Sequence, residues 1–430
     1  MYFIAFFSFG IQAQGLVGSH GILPFETWLK SSREEFGGAA WRYLPTVLWL
    51  WPADAALAAV WIAGSLAAVF AVFGKSQRPA LAICLVLWLS ICTVGQDFLG
   101  FQWDSLLVEA GFLAVFASLS PVRVWLFRWL IFRLLFSSGV VKLASGDPAW
   151  RNLTALHYHY ETQPLPTPLA WFMFQLPMAF QRFSTGLVFV AELAVPWLFF
   201  MPRRFRRAGA WITIGLQILI LLTGNYTFFN ILTIALTMWL FFEPQPDSSR
   251  CKIADVASAV LVGALSIPAC LQLFSLPPPP GADDLTRLAA PFQIVNPYGL
   301  FAVMTPERDE IVVEGSQDGV NWRAYEFRYK PGDPNRAPPI VAPYQPRLDW
   351  QMWFAALGTY QQNRWFTNFM VRLLQGEPAV TRLLAYNPFS TAPPKYVRAR
   401  LFRYQFTHFG QKGWWTREER GMYFPAVSNP

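Results

Sequence analysis

From Tyr2 to Leu276 the chain returns again and again to predominantly apolar runs near the length of a bilayer's hydrocarbon core. They are Tyr2–Val17, Ala55–Phe73, Pro79–Val94, Gly100–Leu119, Val122–Leu143, Phe183–Met201, Ala208–Thr223, Tyr226–Phe242 and Ala254–Leu276. A helix needs about 20 such residues to cross. In hydrocarbon every backbone polar group must be paired inside its own element, so open runs of this kind span only as helices. Some are short or carry a charge, which leaves about eight or nine crossings. Charged residues make up 14% of the chain, against roughly 25% in soluble domains. Its 20 tryptophans and 39 phenylalanines are suited to anchoring at membrane interfaces. The predicted fold class is a mainly α polytopic membrane protein.

The formal net charge is +8, but the basic residues form no single stripe beside a nucleic-acid-binding motif, so no nucleic acid partner is indicated. They gather instead in short gaps: Arg203–Arg207, Gly74–Pro79, Arg123 and Ser248–Lys252. Short Lys/Arg-rich gaps stay cytoplasmic, and these four share one side if every run crosses. Gly18–Tyr43, the turn VGQDFLG, the long loop 144–182 and everything after Pro277 then face the other side. Trp41–Pro52 and Leu169–Phe180 read as interfacial or re-entrant helices. MYFIAFFSFGIQAQG, with no basic start and no cleavage site, reads as a first membrane helix rather than a signal peptide. Cys84, Cys92, Cys251 and Cys270 form no CxxC, which speaks against a disulfide scaffold.

Residues 1–276 are thus read as a transmembrane helical bundle with an extracytoplasmic loop at 144–182. Residues 277–285 are a stiff proline-rich linker, and 286–430 an extracytoplasmic α+β domain. In that domain DEIVVEGSQDGVNWRAYEFRYK predicts two strands turning at Asp318-Gly319. Tyr325, Phe327 and Tyr329 alternate with polar residues as in a half-buried strand. RLDWQMWFAALG predicts a helix with Trp350, Trp353, Phe354 and Leu357 on one face. RWFTNFMVRLL predicts a second, with Phe366, Phe369, Met370 and Leu373, and YVRARLFRYQFT a closing strand.

Ionisable groups inside predicted spans are costly unless paired. Glu109, Arg133 and Glu192 therefore read as one intramembrane polar network. Lys142, at the end of its run, reads as an interfacial anchor, and Arg128 as snorkelling. His157, His159 and Glu161 would share a face on an extended segment, as a metal site requires. With no supporting ligand cluster no metal is assigned, and histidines bonded to loop carbonyls are expected. Asp104 is expected to cap its helix, and Gln96 and Asp97 to bond the long loop. Trp150, Tyr344, Trp350, Trp353, Arg398 and Arg400 are candidates for a client or interdomain surface. No G-x-S-x-G elbow, Walker loop, dinucleotide fingerprint or H-E-x-x-H is present.

The long blocks GQDFLGFQWDSLLVEAGFLAVF, GDPAWRNLTALHYHYETQPLPTPLAW, NYTFFNILTIAL, NPYGLFAVMTPERDEIVVEGSQDG and VAPYQPRLDWQMWFAALG resemble the lipase maturation factor family over nearly the whole chain. The resemblance implies a multi-pass protein of the endoplasmic reticulum membrane, or of the inner membrane in a bacterium. It would give chaperone-like help to partly folded secreted proteins, lipases in the animal family, on the lumenal or periplasmic side. It implies a folding factor rather than an enzyme. A shorter stretch, LLFSSGVVKLASGDPAWRNLTALHY, resembles the membrane superfamily of vitamin K-dependent γ-carboxylase. That implies an alternative, a membrane enzyme or a quinone- or lipid-binding protein. Lys142 would be its base, with His157, His159 and Glu161 as the other catalytic candidates, and no cofactor beyond a bound lipid or quinone. The histidine and proline half of the long loop is expected to dock against the C-terminal domain.

Overall fold

Six helices are long and apolar enough to cross a membrane: Asp54–Phe73, Gln77–Val94, Pro121–Ala144, Met178–Phe200, Arg203–Thr223 and Ile253–Leu273. They come from a computed structural model that describes residues 1–74, 77–116, 120–245 and 253–428. The basic segment Ser248–Lys252 with Cys251, part of Gly74–Pro79 and the end of Gly100–Leu119 lie outside the described residues. Pro121–Ala144 is the most enclosed of the six, with 67% of its apolar window buried. It starts where Ser120 Oγ accepts the Arg123 N–H and Pro121 occupies the first turn, a position that needs no N–H.

Three other expected runs give shorter helices. Tyr2–Val17 is split into Tyr2–Gly10 and Ala13–Val17. At the break Gln12 faces the C-terminal part of the chain, its Nε2 donating to the Gln345 carbonyl at 2.8 Å and its Oε1 accepting the Arg347 N–H at 2.9 Å. Gly100–Leu119 yields Gln102–Val115, of 14 residues. Tyr226–Phe242 yields the apolar stretch Phe229–Leu240. Each sits beside neighbours that supply partners for polar groups, so none relies on its own length alone.

Met178–Phe200 changes its winding midway. It is α-helical to Phe189, π-helical over Val190–Ala194 and 3-10 over Val195–Phe200. Pro196 explains the change. It has no N–H to give to the carbonyl four residues back, and its ring crowds that carbonyl, which belongs to Glu192. The local widening absorbs the conflict.

The C-terminal part forms a small antiparallel sheet in the order β2-β1-β3-β4, with β1 Arg308–Ser316, β2 Trp322–Ala324, β3 Tyr396–Phe406 and β4 Trp415–Ser428. The expected turn lies between β1 and β2. Asp318 accepts the N–H groups of Val320 and Asn321 there, which hold its carboxyl well below the usual range, and Gly319 supplies a φ of +75°. Strand β2 ends sooner than the alternation suggests, because Glu326 bridges to Tyr386 instead; Tyr325 and Phe327 remain buried. β4 has no counterpart among the expected strands. Its run TREER is largely exposed along the sheet edge and shows no apolar alternation. Helices Arg347–Ala356 and Arg364–Leu374 complete this sheet domain, the second burying Phe366, Phe369, Met370 and Leu373 completely.

Candidate functional site

Lys142 lies near the end of the most enclosed helix and Glu192 on the π-wound turn. Gly139 lets the two elements meet, because a Cβ there would stand 2.7 Å from the Leu193 side chain. Lys142 Nζ donates to Glu192 Oε2 at 2.7 Å, to Glu192 Oε1 at 3.0 Å and to the Ser138 carbonyl at 3.1 Å. It also lies 5.3 Å from the Trp150 ring, a favourable placement for a desolvated ammonium. Lys142 is 5% exposed, so it is an internal ion-pair partner and not an anchor reaching to the interface. Its three polar contacts all go to acceptors, two on the one Glu192 carboxylate and one on the Ser138 carbonyl.

The segment HYHYE is helical, part of Ala155–Thr162. The one-face arrangement that an extended segment would give His157, His159 and Glu161 is therefore absent. Among the described residues neither histidine is bonded to a loop carbonyl. His157 stacks on Phe174 with centroids 5.3 Å apart. Glu161 Oε1 accepts the Phe406 N–H; burial raises its carboxyl, and that bond with Arg308 and Arg403 opposes the rise. His159 Nε2 lies 3.0 Å from the Tyr226 hydroxyl, which lies 3.0 Å from Gln163 Oε1. Since that oxygen can only accept, the hydroxyl donates to it and His159 Nε2–H donates to the hydroxyl. Among the described residues no group of three or more His, Cys, Asp or Glu is placed to hold a metal.

His159 carries a pH prediction. Burial, and secondarily the Lys142 charge, pull its imidazole from 6.5 down to about 4, so it is neutral at pH 7. Between those values the unfolded chain binds a proton that the folded chain does not. Its contribution to stability is therefore full above pH 6.5 and is lost as the pH falls towards 4. Thermal melting in detergent is expected to drop on acidification, and to drop less in His159→Gln. Parallel pH slopes for the two proteins would contradict this.

Lys142, Glu192, His159, Tyr226 and Gln217 line one cavity of about 100 Å³; neither Glu109 nor His157 lines it. The single expected network of Glu109, Arg133 and Glu192 is thus two separate sites. Glu109 pairs with Arg133 and accepts from the Tyr298 hydroxyl at 2.6 Å and the Asn296 N–H at 3.1 Å. It thereby joins the bundle to the segment leading into the sheet domain. Arg128, far from snorkelling, is buried and donates to the Phe242 carbonyl at 2.8 Å.

Other buried polar groups tie the two parts together. Asp104 does not cap its helix but takes a bidentate pair from Arg347, with both distances 2.9 Å. Gln96 donates to the Leu23 carbonyl and the Asp97 carbonyl accepts from Gln351, so among the described residues neither is bonded to the long loop. The second half of that loop does dock on the sheet domain. Arg308 donates to the carbonyls of Glu161, Gln163 and Pro164, and Trp353 Nε1 to that of Thr162 at 2.7 Å. Asn225 donates to the carbonyls of Leu165, Pro166 and Pro339 and accepts from Val341 and Ala342. Fully engaged and 2% exposed, the asparagine of NYT serves as a latch and is closed to a glycan.

Trp150, Trp350 and Trp353 are buried between segments. Trp150 Nε1 donates to the Phe301 carbonyl at 2.9 Å, and Trp350 packs 4.9 Å from Trp103. Tyr344 is half-buried against Tyr329. Arg398 and Arg400 form cross-strand pairs, Arg398 with Glu314 at 2.7 Å and Arg400 with Glu419. Sequence reasoning missed Arg347, Arg308 and Asn225. Their partners, Asp104, Gln163 and Pro339 among them, lie far along the chain, and no local pattern marks any of the three.

Residues 1–246 match the lipase maturation factor transmembrane domain, and residues 294–425 the lipase maturation factor C-terminal domain. The chain is 38% identical to a lipase maturation factor 2 of Gallus gallus, over 99% of this chain and 80% of that protein. It is 37% identical to a lipase maturation factor 2 of Homo sapiens, covering 100% and 81%. With a lipase maturation factor 1 of Mus musculus the identity is 34%, over 99% and 85%. No solved structure matches. A bundle of membrane-length helices with a sheet domain fixed to it by buried ion pairs is thus joined to similarity along nearly the whole sequence, and the chain belongs to the lipase maturation factor family.

Proposed function

We propose that the protein is a membrane-embedded folding factor that helps partly folded secreted clients such as lipases reach their active form. The observation that carries this is the similarity to lipase maturation factors over 99–100% of the chain. In this reading 1–276 is the bundle, 277–285 the linker and 286–430 the client-side domain. That domain lies in the lumen of the endoplasmic reticulum in a eukaryote or in the periplasm in a bacterium, opposite Arg203–Arg207.

About eight or nine crossings fit the placement of the short helices. Asn225, just before Phe229–Leu240, bonds to Pro339 of the sheet domain, while Glu243 just after it pairs with Arg206 of the basic gap. That stretch therefore runs from the domain end of the bundle to the basic end, its helix extended by irregular flanks.

Deleting the gene tests the function. Secreted lipase is expected to be made but to lose specific activity and to accumulate as aggregate. Lipase activity and solubility equal to those of the parent strain would overturn the reading.

A further inference from the structure

The Lys142–Glu192 cavity adjoins a larger apolar groove of about 690 Å³ between the Met178–Phe189 and Arg203–Thr223 helices; Leu156, His159, Val188 and Ile220 line both. The groove's volume is that of a small-molecule site, about 300–1,000 Å³. Its walls include Phe183, Leu187 and Leu219, each at least half exposed on membrane-length helices, so it opens sideways to the lipid and not to water. We propose that groove and cavity together bind one uncharged acylglycerol drawn from the bilayer, its acyl chain in the groove and its glycerol end in the cavity.

The charge pattern selects this class. Lys142 is already matched by Glu192, so the cavity offers no net charge to a guest. A phosphate or carboxylate would face Glu192, and an amine would face Lys142; either would enter a nonpolar setting without a counterion. What remains open is hydrogen bonding. Gln217 is 3% exposed and uses its Oε1 on Asn230 at 2.9 Å. The Nε2 of the same side chain, which lines the cavity, can donate to an ester carbonyl. The Glu192 carboxylate can accept from a glycerol hydroxyl. The π-wound turn that carries Glu192 is a further mark, because such turns recur at functional sites. Nothing in this proposal rests on the lipase reading.

Gly215 supplies the test. It lines the groove, and a Cβ built on it meets no atom within 4 Å. Gly215→Phe should therefore leave the helix without a clash at its Cβ and place its ring in the groove, and a helix-interior glycine gains helix propensity on replacement. The protein would be placed in phosphatidylcholine nanodiscs containing a monoacylglycerol with a diazirine in its acyl chain, irradiated, and mapped by peptide mass spectrometry. Label is expected to concentrate on Phe183–Val190 and Ile212–Leu219, to fall at least tenfold in Gly215→Phe and to persist in Gly215→Ala. Phosphatidylcholine and fatty-acid probes should label these peptides several-fold less. Label spread equally over Asp54–Phe73, unchanged by Gly215→Phe, would mean a lipid annulus only and overturn the proposal. So would equal labelling of the groove by either charged probe. If Gly215→Phe fails to fold, competition decides: excess unlabelled monoacylglycerol should erase the groove label, and failure to do so overturns the proposal.

Discussion

Replacing Arg347 with alanine is expected to release the sheet domain from the helical bundle. The guanidinium is fully buried, grips both oxygens of Asp104 and donates to the Phe98 carbonyl at 2.6 Å. Its backbone N–H is held by Gln12, so one residue meets three separate segments of the bundle. Truncation leaves the Asp104 carboxylate, 1% exposed, without a counterion. Breaking a buried pair in this way costs about 3–5 kcal/mol, a large share of a net stability of about 5–15 kcal/mol. Arg347→Lys should recover only part of the loss, because a single ammonium cannot reproduce two parallel bonds and the carbonyl contact together. Arg347→Met with Asp104→Leu should recover most of it, since no charge is then stranded. Limited proteolysis within 277–285 and melting in detergent report the outcome. Arg347→Ala that melts and resists cleavage like the parent would show that the domain is held elsewhere.

How much of this was legible depended on the range of the interaction. The membrane-length helices and the Asp318-Gly319 turn are local events, written in runs of apolar residues and in one dipeptide, and they stand where the sequence placed them. The cost of an intramembrane charge is also local, which is why Glu109, Arg133 and Glu192 stood out. Their partners were not, because pairing is a matter of which helices touch. Arg347 and Asp104 are 243 positions apart, and nothing near either residue names the other. The HYHYE segment failed in another way. Histidine and tyrosine have no strong backbone preference, so whether the segment was extended or helical was decided by its docking on Phe406 and Tyr226. β4 was obscured by its edge position, where charges are favoured over alternation.

The second large effect belongs to Lys142 and Glu192, and it separates holding the fold from holding a ligand. Lys142→Ala strands the Glu192 carboxylate, which is 8% exposed, inside the bundle. A loss of about 3–5 kcal/mol follows, visible as a several-fold lower yield of monodisperse protein. Lys142→Met with Glu192→Leu removes both charges while roughly keeping their volumes, and replacing a buried ion pair by apolar residues of similar volume is often neutral or stabilising. The double variant should therefore purify and melt nearly as the parent does. It should nevertheless lose most of the monoacylglycerol label in the groove, because the carboxylate that accepts from the glycerol hydroxyl is gone. A double variant as unstable as Lys142→Ala would show that the pair stabilises by its hydrogen-bond geometry and not by cancelling charge. One that is stable and labels fully would place the glycerol end on Gln217, His159 and Tyr226 alone, and the pair would then be structural.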